Sequence, residues 1–263
     1  MEHSVSSSAA DERQRGGRVS APVFVLADVA LDAGATVVLD GPEGHHAATV
    51  QRLGVGEHLV LTDGNGTSAD GTVTRTAHDR LEIEIDHVVL TPPPQPRVVV
   101  VQAMPKGERG ELSVATMTEV GADVIVPWAA ARCVARWDGA RGEKALAKWR
   151  TAARESAKQS RRSRFPEVTA LATTGDVAEL LRTAELAAVL HEGASTPLSA
   201  ARVPAVGDVV LVVGPEGGIS PEELARFEDA GAASYRLGPT VLRTSTAGAV
   251  GVGVLLSRTD RWL

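Results

Sequence analysis

Five consecutive apolar residues, 209–213 (VVLVV), run directly into a glycine-rich segment, 214–218 (GPEGG). A run this uniformly apolar predicts a strand buried on both faces, as in a parallel sheet. The glycines allow positive φ angles and a close approach of the backbone to a ligand. Ser220, Pro221 and Glu223 then predict a capped helix. This strand, turn and helix are typical of a ligand site at the carboxyl end of a parallel strand, and an ordinary tight turn has the same pattern.

Strands and helices are predicted to alternate over residues 97–263, which indicates an α/β domain around a mainly parallel sheet. The predicted strands are residues 97–103, 123–126, 186–190, 208–213 and 234–237. The predicted helices are residues 109–120, 143–163, 176–183, 221–230 and 245–258. In the long helix 143–163, apolar side chains share one face and basic side chains another. That pattern predicts a docked helix with a basic outer stripe, formed by Arg150, Arg154, Lys158 and Arg161.

Residues 18–90 have a different pattern, that of a small, mostly β domain. Short alternating segments predict strands at 23–26, 36–39, 58–61, 71–76 and 81–89, with one short helix at 45–53. The sequence Asp-Gly-Asn-Gly at 63–66 predicts a hairpin turn because Asp-Gly and Asn-Gly accept positive φ. Residues 1–17 are expected to be a disordered tail, and the proline-rich residues 91–96 a linker between the two domains.

The charge distribution indicates a nucleic-acid partner. The formal net charge is −6, but residues 141–164 hold nine Lys or Arg against two acids. A concentrated basic segment in an otherwise acidic protein is the electrostatic signature of nucleic-acid binding.

Several other classes of site are excluded by pattern. Residues 214–218 match neither a phosphate loop nor a dinucleotide fingerprint, and His191-Glu192 lacks the second histidine of a zinc protease. Cys133 is the sole cysteine and His45 and His46 are adjacent, so no metal site is expected. The longest apolar run, 247–256, is too short for a bilayer. We therefore expect a cytoplasmic protein without a membrane partner.

A family resemblance links these features. The segments GPEGG at 214–218, the capped helix after it and LGPTVLRTSTA at 237–247 resemble the SPOUT class of methyltransferases. Within that class the chain resembles the ribosomal RNA small subunit methyltransferase E family over nearly its whole length after the tail. Further matching residues are Gly44, His45, His46, Gln102, Glu111, Gly121, Trp149, Gln159 and Pro166.

The resemblance implies an N-terminal PUA-like β-barrel at 18–90 that helps to bind RNA. It implies a C-terminal SPOUT domain at 97–263, with a parallel sheet, a trefoil knot and a homodimer. The implied cofactor is S-adenosyl-L-methionine, and no metal is implied. The implied activity is that of a 16S rRNA (uracil-N3)-methyltransferase that acts on uridine 1498. The implied partner is 16S rRNA within the small ribosomal subunit.

The positions of the residues within these segments, considered together with the resemblance, predict their roles. Arg243 is the candidate catalytic residue, stabilising a uracil anion; a salt bridge to Glu216 or to an acid of the partner subunit is the alternative. The candidate cofactor-binding residues are Leu190, His191, Glu192, Gly214, Pro215, Glu216, Gly217, Gly218, Leu237, Gly238, Val241, Leu242 and Thr244. The candidate RNA-binding residues are Arg18, Lys106, Arg109, Arg132, Arg154, Lys158, Arg161, Arg162 and Arg164.

The chain departs from the family pattern at Thr240, Ser245 and Lys158, where the family usually has an arginine, a glutamate and an acid. Two alternative functions remain at the level of sequence. A non-catalytic RNA-binding or ribosome-assembly protein explains the β domain and the basic segment but not the glycine turn. A nucleotide-binding oxidoreductase explains the glycine turn but not the basic segment.

Overall fold

A computed structural model describes residues 21–27, 29–107 and 109–262. The predicted tail and the RNA-binding candidate Arg18 therefore lie outside the described residues. By its internal contacts the chain divides into two compact units. The first unit extends to Pro92 and also contains Arg161–Arg164, and the second contains Pro93–Ser160 and the residues from Phe165 onward.

The first unit is built on a five-stranded sheet with the order β1-β3-β4-β5-β2. Its elements are β1 (Val23–Val25), β2 (Thr36–Leu39), α1 (Gly41–His45), a π-helix (His46–Val50), β3 (His58–Thr62), β4 (Thr67–Ala77) and β5 (Arg80–Leu90). β1 is parallel to β3, and the other pairs are antiparallel. Alternate side chains, among them Leu59, Leu61, Leu81 and Ile83, form its core.

The hairpin turn between β3 and β4 confirms the prediction at 63–66. Gly64 and Gly66 have φ angles of 73° and 110°. The carboxylate of Asp63 accepts hydrogen bonds from the backbone amides of Asn65 (2.6 Å) and Thr67 (3.0 Å). The turn is therefore held by an Asx-type interaction, as its composition predicts.

The second unit is an α/β domain on a six-stranded parallel sheet, with the order β11-β9-β10-β6-β7-β8. Its strands are β6 (Arg97–Ala103), β7 (Val124–Trp128), β8 (Glu167–Val168), β9 (Leu186–Leu190), β10 (Asp208–Val213) and β11 (Ala233–Tyr235). Its helices are α2 (Arg109–Val120), α3 (Gly139–Gln159), α4 (Thr174–Arg182), a 3₁₀ turn (Leu198–Ala200), α5 (Pro221–Asp229) and α6 (Thr244–Leu256). The predicted fold class is confirmed. The trefoil knot stays a prediction.

Both faces of the parallel sheet are covered by helices, as such sheets require. On β10, Val209, Leu211 and Val213 pack into a core with α2, α3 and α6. Val210 and Val212 face the opposite core, with α4 and α5. The buried apolar run of the sequence is therefore the central strand of a three-layer domain.

The glycines of α6 let this helix pack closely against its neighbours. A Cβ atom on Gly248 would lie 2.6 Å from the sulfur of Met117, and one on Gly251 would lie 2.6 Å from a methyl carbon of Leu211. The weakly apolar run at 247–256 is thus a core helix. None of the helices within the described residues is long and apolar enough to cross a membrane.

The boundaries of α3 correct one prediction. The helix spans Gly139–Gln159 and not 143–163. Arg161 lies beyond its end with a φ of 58°, and Lys158 is only 8% exposed. The predicted basic outer stripe is therefore wrong at Arg161, because the chain leaves the helix after Gln159, and at Lys158, because its side chain is buried. The buried face with Trp149 and Ala153 is confirmed.

Candidate functional site

A cleft of about 570 Å³ lies where β9, β10 and β11 end at their carboxyl termini. We call it the cofactor cleft. It is lined by every candidate cofactor-binding residue, namely Leu190, His191, Glu192, Gly214, Pro215, Glu216, Gly217, Gly218, Leu237, Gly238, Val241, Leu242 and Thr244. Parallel sheets bind ligands at this edge because the loops after neighbouring strands meet there. Three segments that are distant in sequence thus surround one cavity.

The glycine turn forms the first wall of the cleft. A Cβ atom on Gly214 would lie 2.7 Å from a carbon of Ile219, and Gly218 has a φ of 74°. A Cβ atom on Gly217 would lie 3.2 Å from the Cβ of Arg132. The turn therefore excludes side chains at Gly214 for lack of space and at Gly218 because of its left-handed backbone. It leaves the backbone open to the cleft.

The capping box predicted after the turn is confirmed. The hydroxyl of Ser220 accepts a hydrogen bond from the amide of Glu223, whose carboxylate accepts one from the amide of Ser220. Pro221 is the first residue of α5. These interactions fix the direction in which the chain leaves the turn.

The second wall is the segment that leads into α6. The hydroxyl of Thr244 donates a hydrogen bond to the carbonyl of Gly214 (3.1 Å), which joins the two walls. Leu237 and Leu242 are half-buried, and Val241 is 77% exposed. This wall therefore presents apolar side chains that a flat, apolar group could contact.

The third wall follows β9. The amide of His191 donates to the carbonyl of Tyr235 (2.9 Å), and its Nδ1 accepts from the amide of Gly193 (3.2 Å). The carbonyl of Arg236 accepts from the amide of Leu198 (2.8 Å). The first bond connects the ends of β9 and β11, and the last ties the 3₁₀ turn to the residue after β11.

Charged groups of both signs line the cofactor cleft. Its cations are Arg109, Arg132, Arg236 and Arg243, and its acids are Glu192 and Glu216. Arg243 is the N-cap residue of α6 and is exposed. The carboxylate of Glu216 accepts from the backbone amide of Lys106 (3.1 Å), and within the described residues it forms no ion pair with Arg243.

The loop between β7 and α3, residues 129–138, is tied to the glycine turn. We call it the 129–138 loop. The guanidinium of Arg132 donates to the carbonyl of Gly217 (3.1 Å). The buried carboxylate of Glu223 accepts from the amide of Ala131 (2.8 Å) and from the hydroxyl of Thr174 (3.0 Å). Glu223 therefore holds this loop in addition to capping α5.

Some lining residues were missed by sequence reasoning. They are Val213, Ile219, Tyr235, Arg236, Pro239, Thr240 and Ala247. Tyr235 is the last residue of the short strand β11, and Arg236 follows it. Both lie immediately before Leu237, and that position was the available signal. The anchoring role of Glu223 had no signal beyond the capping box, because its other partners are remote in sequence.

The candidate RNA-binding residues do not form a single group. Lys106, Arg109 and Arg132 are exposed, and the last two line the cofactor cleft. Arg154 is exposed on α3, while the amino group of the buried Lys158 lies 3.6 Å from the carboxylate of Glu155. The other three follow α3 and belong to the first unit.

Of those three residues, Arg161 is exposed and the other two are half-buried. The Nε of Arg164 donates to the carbonyl of Thr91 (2.8 Å), and the Nε of Arg162 donates to the carbonyl of Arg164 (2.9 Å). Arg164 thus helps to hold the first unit together. Phosphate binding by these residues stays a prediction.

Two titratable groups around the 129–138 loop have shifted pKa values. Burial raises the pKa of the Cys133 thiol. Hydrogen bonds at the start of α5, its own backbone amide first, lower the pKa of Glu222, and Arg132 contributes to this shift. Within the part of the chain that the structure describes, no cluster of His, Cys, Asp and Glu could hold a metal ion.

Comparison with known proteins agrees with this architecture. Residues 91–256 match a family model described as an RNA methyltransferase domain, and residues 39–86 match one described as an RNA methyltransferase PUA domain. The ribosomal RNA small subunit methyltransferase E of Mycobacterium bovis is 48% identical over 89% of this chain and 91% of its own length. The Bacillus subtilis protein of the same name is 27% identical over 81% of this chain and 86% of its own length.

A solved structure supports the same similarity. The ribosomal RNA small subunit methyltransferase E of Neisseria gonorrhoeae, bound to S-adenosyl methionine, superimposes with a TM-score of 0.79 and 26% identity. The superposition covers 90% of this chain and 97% of that protein. The predicted PUA-like and α/β architecture is confirmed by these matches. The chain therefore belongs to the ribosomal RNA small subunit methyltransferase E family.

Proposed function

We propose that this protein transfers a methyl group from S-adenosyl-L-methionine to N3 of a uridine in 16S rRNA, uridine 1498 by family resemblance. The observation that carries the proposal is the cofactor cleft, which brings together three segments assigned to one cofactor. Family membership supports the methyl transfer and the ribosomal RNA substrate. The Neisseria gonorrhoeae relative binds S-adenosyl methionine, which supports the cofactor.

The residues of the cleft fit this cofactor. Its apolar wall, with Leu237 and Leu242, suits an adenine ring. The glycine turn, where Cβ atoms would clash at Gly214 and crowd at Gly217, leaves backbone for the ribose and methionine parts. Arginines and glutamates at the rim suit the carboxylate and the ammonium group. The volume of about 570 Å³ lies within the range of small-molecule sites.

S-adenosyl-L-methionine, when bound, supplies an electrophilic methyl group on a sulfonium. The protein must hold uracil N3 in line with that group, and such positioning is a large part of the rate enhancement. N3 lies on the Watson–Crick edge, so the uridine must be unpaired or flipped out of its helix. The walls described above would orient the base and exclude water.

Arg243 is the group we propose to stabilise the substrate. Uracil N3 becomes a good nucleophile once its proton is lost, and the negative charge then spreads to the neighbouring carbonyl oxygens. A guanidinium beside those oxygens stabilises the anion. Arg243 is exposed in the cleft and forms no ion pair with Glu216 within the described residues, which supports this role over the alternative of a salt bridge to Glu216.

Basic side chains that take no part in the methyl transfer would bind the RNA backbone. Lys106, Arg109, Arg132 and Arg154 are exposed in the second unit, and Arg161 is exposed in the first. Contacts of this kind supply affinity and salt dependence and carry no base specificity. Arg154→Glu should therefore weaken RNA binding without changing the affinity for the cofactor, since Arg154 is exposed and does not line the cleft.

A homodimer is part of the proposal. Large apolar side chains are exposed at Leu112 on α2 (54%) and at Val250 on α6 (42%), as expected of helices that pack against a second copy. A ribosomal substrate also fits the expected cytoplasmic location. Sedimentation of the wild-type protein and of Leu112→Asp tests the dimer, which the charged variant should weaken.

Two measurements test the proposed function. Calorimetry should detect binding of S-adenosyl-L-methionine, whereas absence of binding at millimolar cofactor would favour a non-catalytic RNA-binding protein. Retention of NAD(P)H in its place would favour an oxidoreductase. Mass-spectrometric mapping of rRNA from a deletion strain should reveal the loss of one N3-methyluridine from 16S rRNA. Complementation with the wild type, but not with Gly217→Val, should restore it.

A further inference from the structure

A second cavity, of about 360 Å³, opens in the second unit between the first turn of α2 and the first half of α3. We call it the tryptophan pocket. Its walls include Trp137 and Trp149, whose rings meet edge to face with centroids 5.0 Å apart. It shares no lining residue with the cofactor cleft. The proposed methyl transfer gives it no role.

Two glycines make room for the tryptophans. A Cβ atom on Gly110 would lie 2.5 Å from the indole nitrogen of Trp149, and one on Gly142 would lie 2.7 Å from the backbone carbon of Trp137. Trp149 is 4% exposed, whereas Trp137 is half-buried. Trp149 therefore forms the base of the pocket, and Trp137 is the ring that an incoming group can reach.

The rim of the pocket is basic. Arg136, Arg141, Lys144 and Lys148 line it, and Glu111 is the one acid among its described lining residues. The carboxylate of Glu111 lies 3.4 Å from the amino group of Lys148. An aromatic surface beside several cations is the arrangement that binds single-stranded nucleic acids, since bases stack on the rings and cations contact phosphates.

The tryptophan pocket and the cofactor cleft are lined by neighbouring residues of the same backbone segments. At the start of α2, Arg109 lines the cleft and Gly110 lines the pocket. In the 129–138 loop, Arg132 lines the cleft and Trp137 lines the pocket. An RNA strand whose uridine entered the cleft would thus have its neighbouring nucleotides close to the pocket.

We propose that the tryptophan pocket binds a second, unpaired nucleobase of the RNA, adjacent to the uridine in the cofactor cleft. This inference rests on the proposed function. Extruding one base unstacks its neighbours, and a stacking site for one neighbour offsets part of that loss. The pocket would also fix the register of the strand, so that one uridine and no other reaches the methyl donor.

The test uses short single-stranded RNAs with one central uridine, either intact or abasic at one position beside it. Fluorescence anisotropy measures the dissociation constant of each RNA. For the wild type, removal of the base that occupies the pocket should weaken binding about tenfold, the size of a lost stacking contact. Trp137→Ala should lose about tenfold for the intact RNA and show no further loss for the abasic one. Trp137→Phe should keep most of the affinity.

Two controls separate stacking from folding. Trp137→Leu keeps apolar volume without an aromatic face, and it should behave like Trp137→Ala while its unfolding temperature stays near that of the wild type. Trp262→Ala removes an exposed tryptophan outside the pocket and should change no dissociation constant. Any of three results overturns the proposal. In the first, Trp137→Leu binds the intact RNA as tightly as the wild type does. In the second, this variant loses as much affinity as the wild type when the RNA is abasic. In the third, the wild type binds both abasic RNAs, one on each side of the uridine, as tightly as the intact RNA.

Failure of the proposed function would appear in other measurements. Calorimetric titration with S-adenosyl-L-methionine and transfer of its labelled methyl group to unmethylated small ribosomal subunits test that function directly. Trp137→Ala should bind the cofactor like the wild type, and its KM for the subunit should rise. The abasic comparison needs neither cofactor nor methyl transfer. The outcome of the abasic comparison therefore does not depend on the measurements of cofactor binding and methyl transfer.

Discussion

The guanidinium of Arg132 donates a hydrogen bond to the carbonyl of Gly217 over 3.1 Å. This bond joins the 129–138 loop to the glycine turn, although the two residues are 85 positions apart in the chain. The same glycine has no room for more than a small side chain, because the Cβ and the carbonyl of Arg132 lie close to it. The cofactor cleft thus depends on a contact between two loops that lie far apart along the chain.

Removal of this bond should weaken cofactor binding. Arg132→Ala deletes one hydrogen bond from a charged donor. Such a bond contributes a free energy of about 1.5–3 kcal/mol when it is shielded from water, and less when it is exposed to water. We expect the affinity for S-adenosyl-L-methionine to fall about tenfold, measured by calorimetry. Arg202→Ala, an exposed arginine that does not line the cleft, is the matched control and should bind normally.

A branched side chain at Gly217 should prevent cofactor binding and spare the fold. Gly217 is exposed, and a Cβ atom there would lie 3.2–3.3 Å from Arg132. Gly217→Val should lower the affinity for S-adenosyl-L-methionine more than about tenfold, because its methyl groups displace Arg132 or enter the cleft. Normal binding by this variant would remove the glycine turn from the site. Gly54→Ala, where a Cβ atom has space, should match the wild type.

Replacement of Arg243 should slow catalysis without weakening cofactor binding. A group that stabilises charge formed in the transition state contributes about 10²–10³-fold to kcat. We expect Arg243→Ala to lose about that factor in single-turnover methylation of small ribosomal subunits, with Arg243→Lys intermediate. An equal loss of cofactor affinity would instead assign Arg243 to the binding of S-adenosyl-L-methionine.

Glu223 should contribute to both stability and the shape of the site. It is 5% exposed and accepts hydrogen bonds from Ala131, Thr174 and Ser220. Glu223→Gln replaces one accepting oxygen by a donor, and an unsatisfied buried group costs about 1–3 kcal/mol. Urea unfolding should detect this loss. Glu222→Gln, at an exposed position in the same helical turn, should cost less.

The capping box of α4 should make the stability depend on acidic pH. Hydrogen bonds from the amide and the hydroxyl of Thr173 lower the pKa of Asp176 below its ordinary value of 3.8. The folded state then binds this proton less readily than the unfolded state. The contribution is complete above pH 3.8 and is lost as the pH falls through the lowered pKa.

Unfolding by urea at several pH values measures this effect. Asp176→Asn should be less stable than the wild type at neutral pH, and the difference in free energy of unfolding should shrink below pH 3.8. Thr173→Ala removes the donor hydroxyl and should reduce the pH dependence as well. Parallel stability profiles for wild type and Asp176→Asn would contradict the assignment.

Local sequence predicts the bounds of a strand or helix well where a strong hydrophobic pattern ends at a residue that disfavours that element. The strands at 97–103, 186–190 and 208–213 have the predicted bounds. Each contains an apolar run, and the residues next to these strands include Pro96, Glu185 and Gly214, which mark where a strand starts or stops. The helix at 109–120 ends at Gly121, whose φ of 113° suits glycine. The pattern of the GPEGG segment is typical of a turn at a ligand site and also of an ordinary tight turn, and in the structure this segment lines the cofactor cleft.

Local sequence failed where distant residues decide the outcome. The strand β8 has two residues and exists through its pairing with β7, so no periodicity identifies it. The sequence predicts that helix α3 continues to residue 163, because the composition there still favours a helix. The chain instead turns at Arg161, and the carbonyl of Ser163 accepts a hydrogen bond from the amide of Gly66.

Local sequence patterns were enough to predict the α/β class and the glycine turn, and the family resemblance predicted the segments that line the cleft. Hydrophobic periodicity and turn chemistry are local, so they can be read from neighbouring residues. The folded chain alone shows that Arg132 and Glu223 hold the wall of the cleft and that Trp137 and Trp149 form a second pocket. The contacts of Arg132 and Glu223 join residues far apart in the chain, and the pocket also needs Gly110 of α2 beside Trp149. No local signal predicts the packing that brings these residues together.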